Sequence, residues 1–388
     1  MKKFLSAALA GLMSISLVAC GGSNTDSETT GGETAGTDSG MKVAMVTDYG
    51  DITDQSFNQT TYEASKAYCE EKGYEFTYKK PASDADADRV ASIEEAIEEG
   101  YNVIVMPGFA FAKAIVDTVE LYPDVKFFAL DVAQADFNSA AGVKDGDPDW
   151  EIPSNLFSAV YHEEIAGYMA GYAAVKLGYT KLGFLGGMAV PAVIRYGFGY
   201  VQGADDAAVE LGLTDVELKY IYGGAFAGNA DVTARMDTWY GDGTEVVFAS
   251  GGGIYTSAAE AAAKVDGKVI GVDVDQAPII DAAYGEGMTV TSAMKGLAAT
   301  VDTVLSDIDA GNWADYQGTI QNLGLVSENS EENYVQLPSS TQWDDNFTED
   351  DYNELVAKLY NGEITVDDGT EAMPETEVVA VDDQGSLK

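Results

Sequence analysis

The sequence is short of the side chains on which most catalytic and metal chemistry depends. One His and two Cys among 388 residues leave too few ligands for a four-coordinate zinc site, and a lone His offers little scope for a Ser-His-Asp arrangement. Basic residues are scarce as well: 21 Lys and Arg stand against 65 Asp and Glu, a formal net charge of −44. A surface of that sign repels phosphate backbones and anionic headgroups, which argues against a nucleic-acid partner or a basic membrane patch. No GxxxxGK[ST], HExxH or GxSxG string occurs, and GFGYVQG from Gly197 to Gly203 has the wrong spacing for GxGxxG and lies in a helical pattern. No catalytic residue, metal or cofactor is therefore expected. After residue 19 no apolar run reaches the roughly 18 residues of a membrane-spanning helix.

What is present suits a secreted globular protein. Hydrophobic residues make up 46% and charged residues 22%, enough to build a core, and the length suggests two domains or lobes. Residues 1–19 read as an export signal, with Lys2 and Lys3 ahead of an apolar stretch from Phe4 to Ala19. The run ends in Leu17-Val18-Ala19-Cys20-Gly21, which resembles the bacterial lipobox and implies lipidation at Cys20, although a chance Cys closing an ordinary signal peptide is the plainer alternative. Residues 20–41 are then a lipidated Cys and a flexible tether, nearly all Gly, Ser, Thr, Asn, Asp and Glu. Cys69 falls in a helical pattern and is expected to be a buried, unpaired core thiol.

From Lys42 onward short β-branched runs, beginning with Lys42–Thr47, alternate with amphipathic helical stretches such as Ser56–Lys72 and Glu163–Leu177. This alternation predicts an α/β fold with doubly wound parallel sheets. The run 138–153 interrupts it, so the first lobe is expected over 42–158 plus about 293–325 and the second over 159–292 plus about 326–388, joined by a hinge of several crossings.

In open parallel sheets ligands bind beyond the carboxyl ends of the strands, and those positions hold carboxylates, aromatics, glycines and one Lys. Asp48 ends the first strand; Phe57 and Asn58 follow it, with Asp54 placed to cap the next helix. Asp131 ends a later strand, and Phe226, Gly252, Asp273 and Lys295 follow strands of the second half. Each has a plainer reading. Asp48 is also a common turn residue, Phe57 and Phe226 could be small core residues, Gly251–Gly253 could be only a flexible turn, Lys295 could be solvated, and either Asp273 or Asp275 could cap the following helix. His162, ahead of Glu163 and Glu164, reads as a helix start.

Taken together, the strings VTDYGDITDQSFNQ, GFAF, FFALD, FASGGG, GVDVDQ and TSAMK resemble, in order and approximate spacing, the basic membrane lipoprotein or PnrA-like family of ABC-transporter substrate-binding lipoproteins. The resemblance spans Lys42 to about Leu305 strongly and the acidic tail more weakly. It implies a type I periplasmic-binding-protein-like fold that closes two lobes on a small ligand, with a purine nucleoside foremost. It also implies a lipid-anchored monomer outside the cell membrane that serves an ABC permease and its ATPase. Carried over by position, it places a base-contacting carboxylate at Asp48, with Asn58 beside the stacking Phe57, and a second stacking ring at Phe226. It places a polar contact at Asp131, a close backbone approach at Gly252, and ribose contacts at Asp273 and Lys295. Riboflavin, a pyrimidine nucleoside or a sugar are alternative ligands. A surface sensor and, through a carboxylate pair, a nucleoside hydrolase are alternative functions.

Overall fold

The runs that make the central strands are apolar and buried, as befits sheets covered on both faces. The computed structural model describes residues 40–48 and 50–387; the export signal, Cys20 and nearly all of the tether lie outside them. A first sheet gathers β1 (Lys42–Val46), β2 (Glu75–Lys79), β3 (Val103–Pro107), β4 (Lys126–Leu130) and β5 (Leu156–Tyr161). A second gathers β6 (Lys181–Gly186), β7 (Val216–Tyr222), β8 (Val246–Ser250), β9 (Lys268–Asp273) and β10 (Thr289–Lys295). The chain then returns to the first sheet with β11 (Thr319–Leu323) and again to the second with β12 (Val335–Gln336) and β13 (Val379–Ser386).

The strand orders are β11-β5-β4-β3-β1-β2 and β12-β10-β9-β8-β6-β7-β13. In each sheet the first strand lies between the second and third, so both carry the same reversal of winding. A crevice opens at the carboxyl ends beside that reversal, β1/β3 in one sheet and β6/β8 in the other. All named pairs are parallel except β10 with β12. β5 continues past the boundary expected at Ser158 and pairs with β4 and β11 in the first sheet. Likewise β10 keeps 293–295 in the second sheet. The crossings therefore fall at His162, Gly296 and the segment 324–334, each where a strand ends. They are tied to one another: His162 N donates to Leu323 O at 3.0 Å, Gly296 N to Tyr334 O at 2.7 Å and Tyr334 N to Gly324 O at 3.0 Å.

Two details of the helices matter for the site. Helix Phe57–Lys72 begins where Asp54 accepts from the amides of Ser56, Asn58 and Gln59, the capping expected of it, and the helix buries Cys69 completely. Helices Glu163–Lys176 and Pro191–Glu210 meet along a seam of glycines. A Cβ on Gly167 or Gly171 would lie 2.1 Å from the carbonyl oxygen of Tyr196 or Tyr200, and one on Gly199 or Gly203 would lie 2.0 Å from that of Glu164 or Tyr168. The glycine-rich string at 197–203 thus serves close helix packing, with no phosphate loop involved.

β13 is acidic and would not be sought as a strand. Its start is held by Asp205, whose carboxylate accepts from the amides of Glu377, Val378 and Val379 at 2.8 Å each. Parallel pairing with β7 then carries it to Ser386 across a register shift after Asp383.

Candidate ligand-binding site

A cavity of about 670 Å³, measured out to its open mouth, lies where the carboxyl ends of both sheets face each other. Asp48, Phe57, Asn58, Asp131, Phe226, Gly252, Asp273 and Lys295 all line it.

The first sheet supplies Asp48 at the end of β1, where its carboxylate accepts from Gly50 N at 3.2 Å. It also lies so close to Gly108 that a Cβ there would come within 1.9 Å of Asp48 Oδ2. Phe57 opens the helix capped by Asp54, and Asn58 beside it points a buried Oδ1 with no partner. The second sheet supplies Phe226, whose ring occupies the space left by Gly187 and Gly251; a Cβ on either would approach it to 2.5 or 2.9 Å. Gly251 and Gly252 also hold φ of 136° and 52°, so the turn after β8 requires glycine.

Asp131 and Asp273 occupy matching positions, one after β4 and the other closing β9, and both are left-handed with φ of 59° and 65°. Non-glycine residues rarely adopt this conformation, and it concentrates at functional sites. Between them lies Lys295, with Nζ 2.6 Å from Asp131 Oδ2, 3.1 Å from Glu163 Oε1 and 3.9 Å from Asp273 Oδ1. Its ammonium also stands 4.8 Å from the centre of the Phe57 ring, within cation–π range. Glu163 is fully buried and its other oxygen accepts from Arg195 Nε at 2.7 Å. Across the cleft, Ser56 Oγ donates to Asp273 Oδ2 and Gln276 Nε2 donates to Gln55 O at 3.0 Å. Among the described residues of the cavity, four buried polar atoms have no hydrogen-bond partner: Asn58 Oδ1, Asp131 Oδ1, Tyr196 Oη and Ser250 Oγ. Buried polar groups are normally satisfied, so a wall bearing four such atoms is suited to a polar ligand.

The family model described as "ABC transporter substrate-binding protein PnrA-like" (Bmp) matches residues 41–369. The chain belongs to the Bmp family. Among its relatives, the "ABC transporter nucleoside-binding protein BmpA" of Lactococcus lactis is 29% identical over 69% of this chain and 74% of its own length. "Basic membrane protein A" of Borreliella burgdorferi is 26% identical over 85% of this chain and 89% of its own. Among solved structures, an ABC transporter solute-binding protein from Aeropyrum pernix K1 superposes with a TM-score of 0.64 at 22% identity, covering 84% of this chain and 87% of that one. The fold is that of type I periplasmic binding proteins. As a Bmp protein the chain is an ABC transporter substrate-binding protein and not an enzyme, and its work is extracytoplasmic. No helix among the described residues is long and apolar enough to cross a membrane.

Electrostatics divide the Bmp cavity unevenly. Burial raises the Asp131 carboxyl from its ordinary 3.8 to about 7; Lys295 opposes the shift while Glu163 and Asp273 add to it. One ammonium is shared by three carboxylates and cannot keep them all ionised. Glu163 is the one held below its ordinary value, because Arg195 and Lys295 together outweigh its burial. Burial raises Asp273. For Lys295, burial works against the charge, but the carboxylates around it prevail and hold it above its usual range.

The native state binds the Asp131 proton more tightly than the unfolded chain, so the group's stabilising contribution is complete below about pH 4 and is lost as the pH rises through about 7. Urea unfolding between about pH 5 and pH 8 is expected to show a falling stability, part of which Asp131→Asn removes. Equal pH slopes in wild type and variant would refute it.

Ser250 adjoins a strand end and falls within the strand-end rule, whereas sequence patterns do not mark Glu163, Arg195 and Tyr196. Glu163 adjoins a strand end too, but that strand, β5, is hidden behind the irregular segment. Arg195 and Tyr196 belong to a helix interior, where no local pattern marks them.

Proposed function

We propose that this protein is the lipid-anchored receptor of an ABC importer and binds a purine nucleoside in the cavity between its two sheets. Cys20 is the anchor, a permease and its ATPase are the partners, and the protein acts as a monomer. The observation that carries the ligand is the pairing of Phe57, from the first sheet, with Phe226, from the second, on one cavity whose wall also holds the carboxylates of Asp48, Asp131 and Asp273. A purine has two π faces, and stacking contributes roughly 1–3 kcal/mol per base. Asp48 and Asn58 lie beside Phe57 and accept from the base. Asp273 and Lys295, with Asp131, serve the ribose hydroxyls, carboxylates accepting and the ammonium donating. The Lactococcus lactis relative, a nucleoside-binding protein by name, supports the nucleoside class.

Residues 42–161 with 297–323 and residues 163–295 with 335–387 are the two lobes of this reading. A ligand touching both stabilises the closed arrangement by its differential affinity. The test is titration calorimetry on protein unfolded and refolded to strip carried-over ligand, against adenosine, guanosine, inosine, cytidine, uridine, riboflavin and ribose. One-to-one binding of purine nucleosides with ribose silent is expected; binding of riboflavin or ribose alone would overturn the ligand. Asp273→Ala is expected to weaken nucleoside binding by about 1–3 kcal/mol through lost charged hydrogen bonds, and unchanged affinity would remove Asp273 from the site.

A further inference from the structure

Tyr196 is 2% exposed, lines the cavity, and its hydroxyl has no hydrogen-bond partner. Its neighbours hold the backbone and the ring in place. Its backbone is in the glycine seam, with the carbonyl against Gly167. Its ring packs edge-on to Phe248, with centroids 5.9 Å apart at 87°, and lies 5.7 Å from Lys295 Nζ. Burial and the neighbouring carboxylates of Asp273, Glu163 and Asp131 keep the phenol protonated, so it is a donor, and it sits at the Lys295 end of the cavity. None of those carboxylates accepts from it. An oxygen lying between the tyrosine and an ionised member of that cluster would have to accept from the tyrosine and donate to the carboxylate. A neutral hydroxyl can do both, whereas an ether oxygen or a phosphate oxyanion cannot.

We propose that Tyr196 is a further specificity-determining residue, whose hydroxyl donates to one sugar hydroxyl of the bound ligand while that hydroxyl donates to a carboxylate of the Asp131–Asp273 cluster. This rests on the nucleoside reading above. The site thereby reads the sugar through a rigid phenol on the second sheet's helix as well as through the strand-end carboxylates, and it selects against analogues lacking that one hydroxyl.

The test is titration calorimetry of the full chain and its Tyr196→Phe variant, which keeps the ring and removes one oxygen. The ligands are whichever of adenosine, guanosine and inosine binds wild type most tightly, its 2′-, 3′- and 5′-deoxy analogues, and the free base. The variant is expected to bind the ribonucleoside about tenfold more weakly. One of the deoxy analogues is expected to bind variant and wild type alike, because the group that Tyr196 reads is already gone. Ligand-free thermal unfolding should be unchanged or higher in the variant, since an unpaired buried hydroxyl has been removed. Equal ribonucleoside affinity in both proteins would overturn the proposal. So would a loss of the same size with every analogue and the free base, which would mean that the oxygen acts through packing alone. If wild type binds no purine nucleoside, the nucleoside reading fails first and this inference falls with it.

Discussion

Lys295→Met is expected to lower the unfolding free energy by about 3–5 kcal/mol and to abolish nucleoside binding detectable by calorimetry. The ammonium is 2% exposed and holds Asp131 at 2.6 Å and Glu163 at 3.1 Å, with Asp273 at 3.9 Å. Removing it leaves three buried carboxylates, of which Glu163 keeps its ion pair with Arg195. Met fills much of the same volume, so the loss is electrostatic and not a cavity effect. The carboxylates can relieve the strain only by taking up protons, so the variant should regain stability relative to wild type as the pH falls toward about 5. Urea unfolding at neutral and mildly acidic pH measures both quantities. A neutral-pH loss below about 1 kcal/mol would place the cluster in the class of weak exposed pairs and refute the account given for it.

Gly199→Ala is expected to cost about 3 kcal/mol, the upper end of the range for overpacking, although it adds a single methyl group to a helix. The new carbon would lie 2.0 Å from Glu164 O and 2.8 Å from Glu164 Cα. Both belong to the backbone of the facing helix, so no side chain can swing aside and the two helices must separate. Glu163, the residue before that contact, would move with its helix and loosen its hold on Lys295, so affinity should fall together with stability. Gly241→Ala is the control. It closes the helix Ala230–Gly241, nothing lies within 4 Å of the added carbon, and no loss of stability is expected there. Equal melting temperatures for the two variants would rule out the seam as a rigid contact.

The fold was legible wherever a strand is a short apolar run flanked by turn residues, as in Lys42–Val46 or Val246–Ser250. It was not legible in β11, whose sequence TIQNL is half polar, or in β13, because such segments become strands only through the neighbour they pair with. β5 was passed over because its six residues follow the long irregular segment 138–153. The cavity shows a similar division. Strand-end rules lead to Asp48, Asp131, Asp273 and Lys295, since topology alone dictates what lies beyond a parallel sheet. Glu163, Arg195 and Tyr196 reach the same place through a chain crossing and the close contact of two helices, and neither leaves a mark at the level of spacing.

The acidic strand β13 closes the outer side of the second sheet, and a sheet that ends in open backbone is a template for another chain. Here the template carries Asp382 and Asp383 side by side, and the register shift after Asp383 breaks its regularity. Two molecules meeting along that border would bring the same carboxylates against each other, and like charges on adjoining strands disfavour pairing. That border is thus a poor template for edge-to-edge pairing with a second copy of the chain.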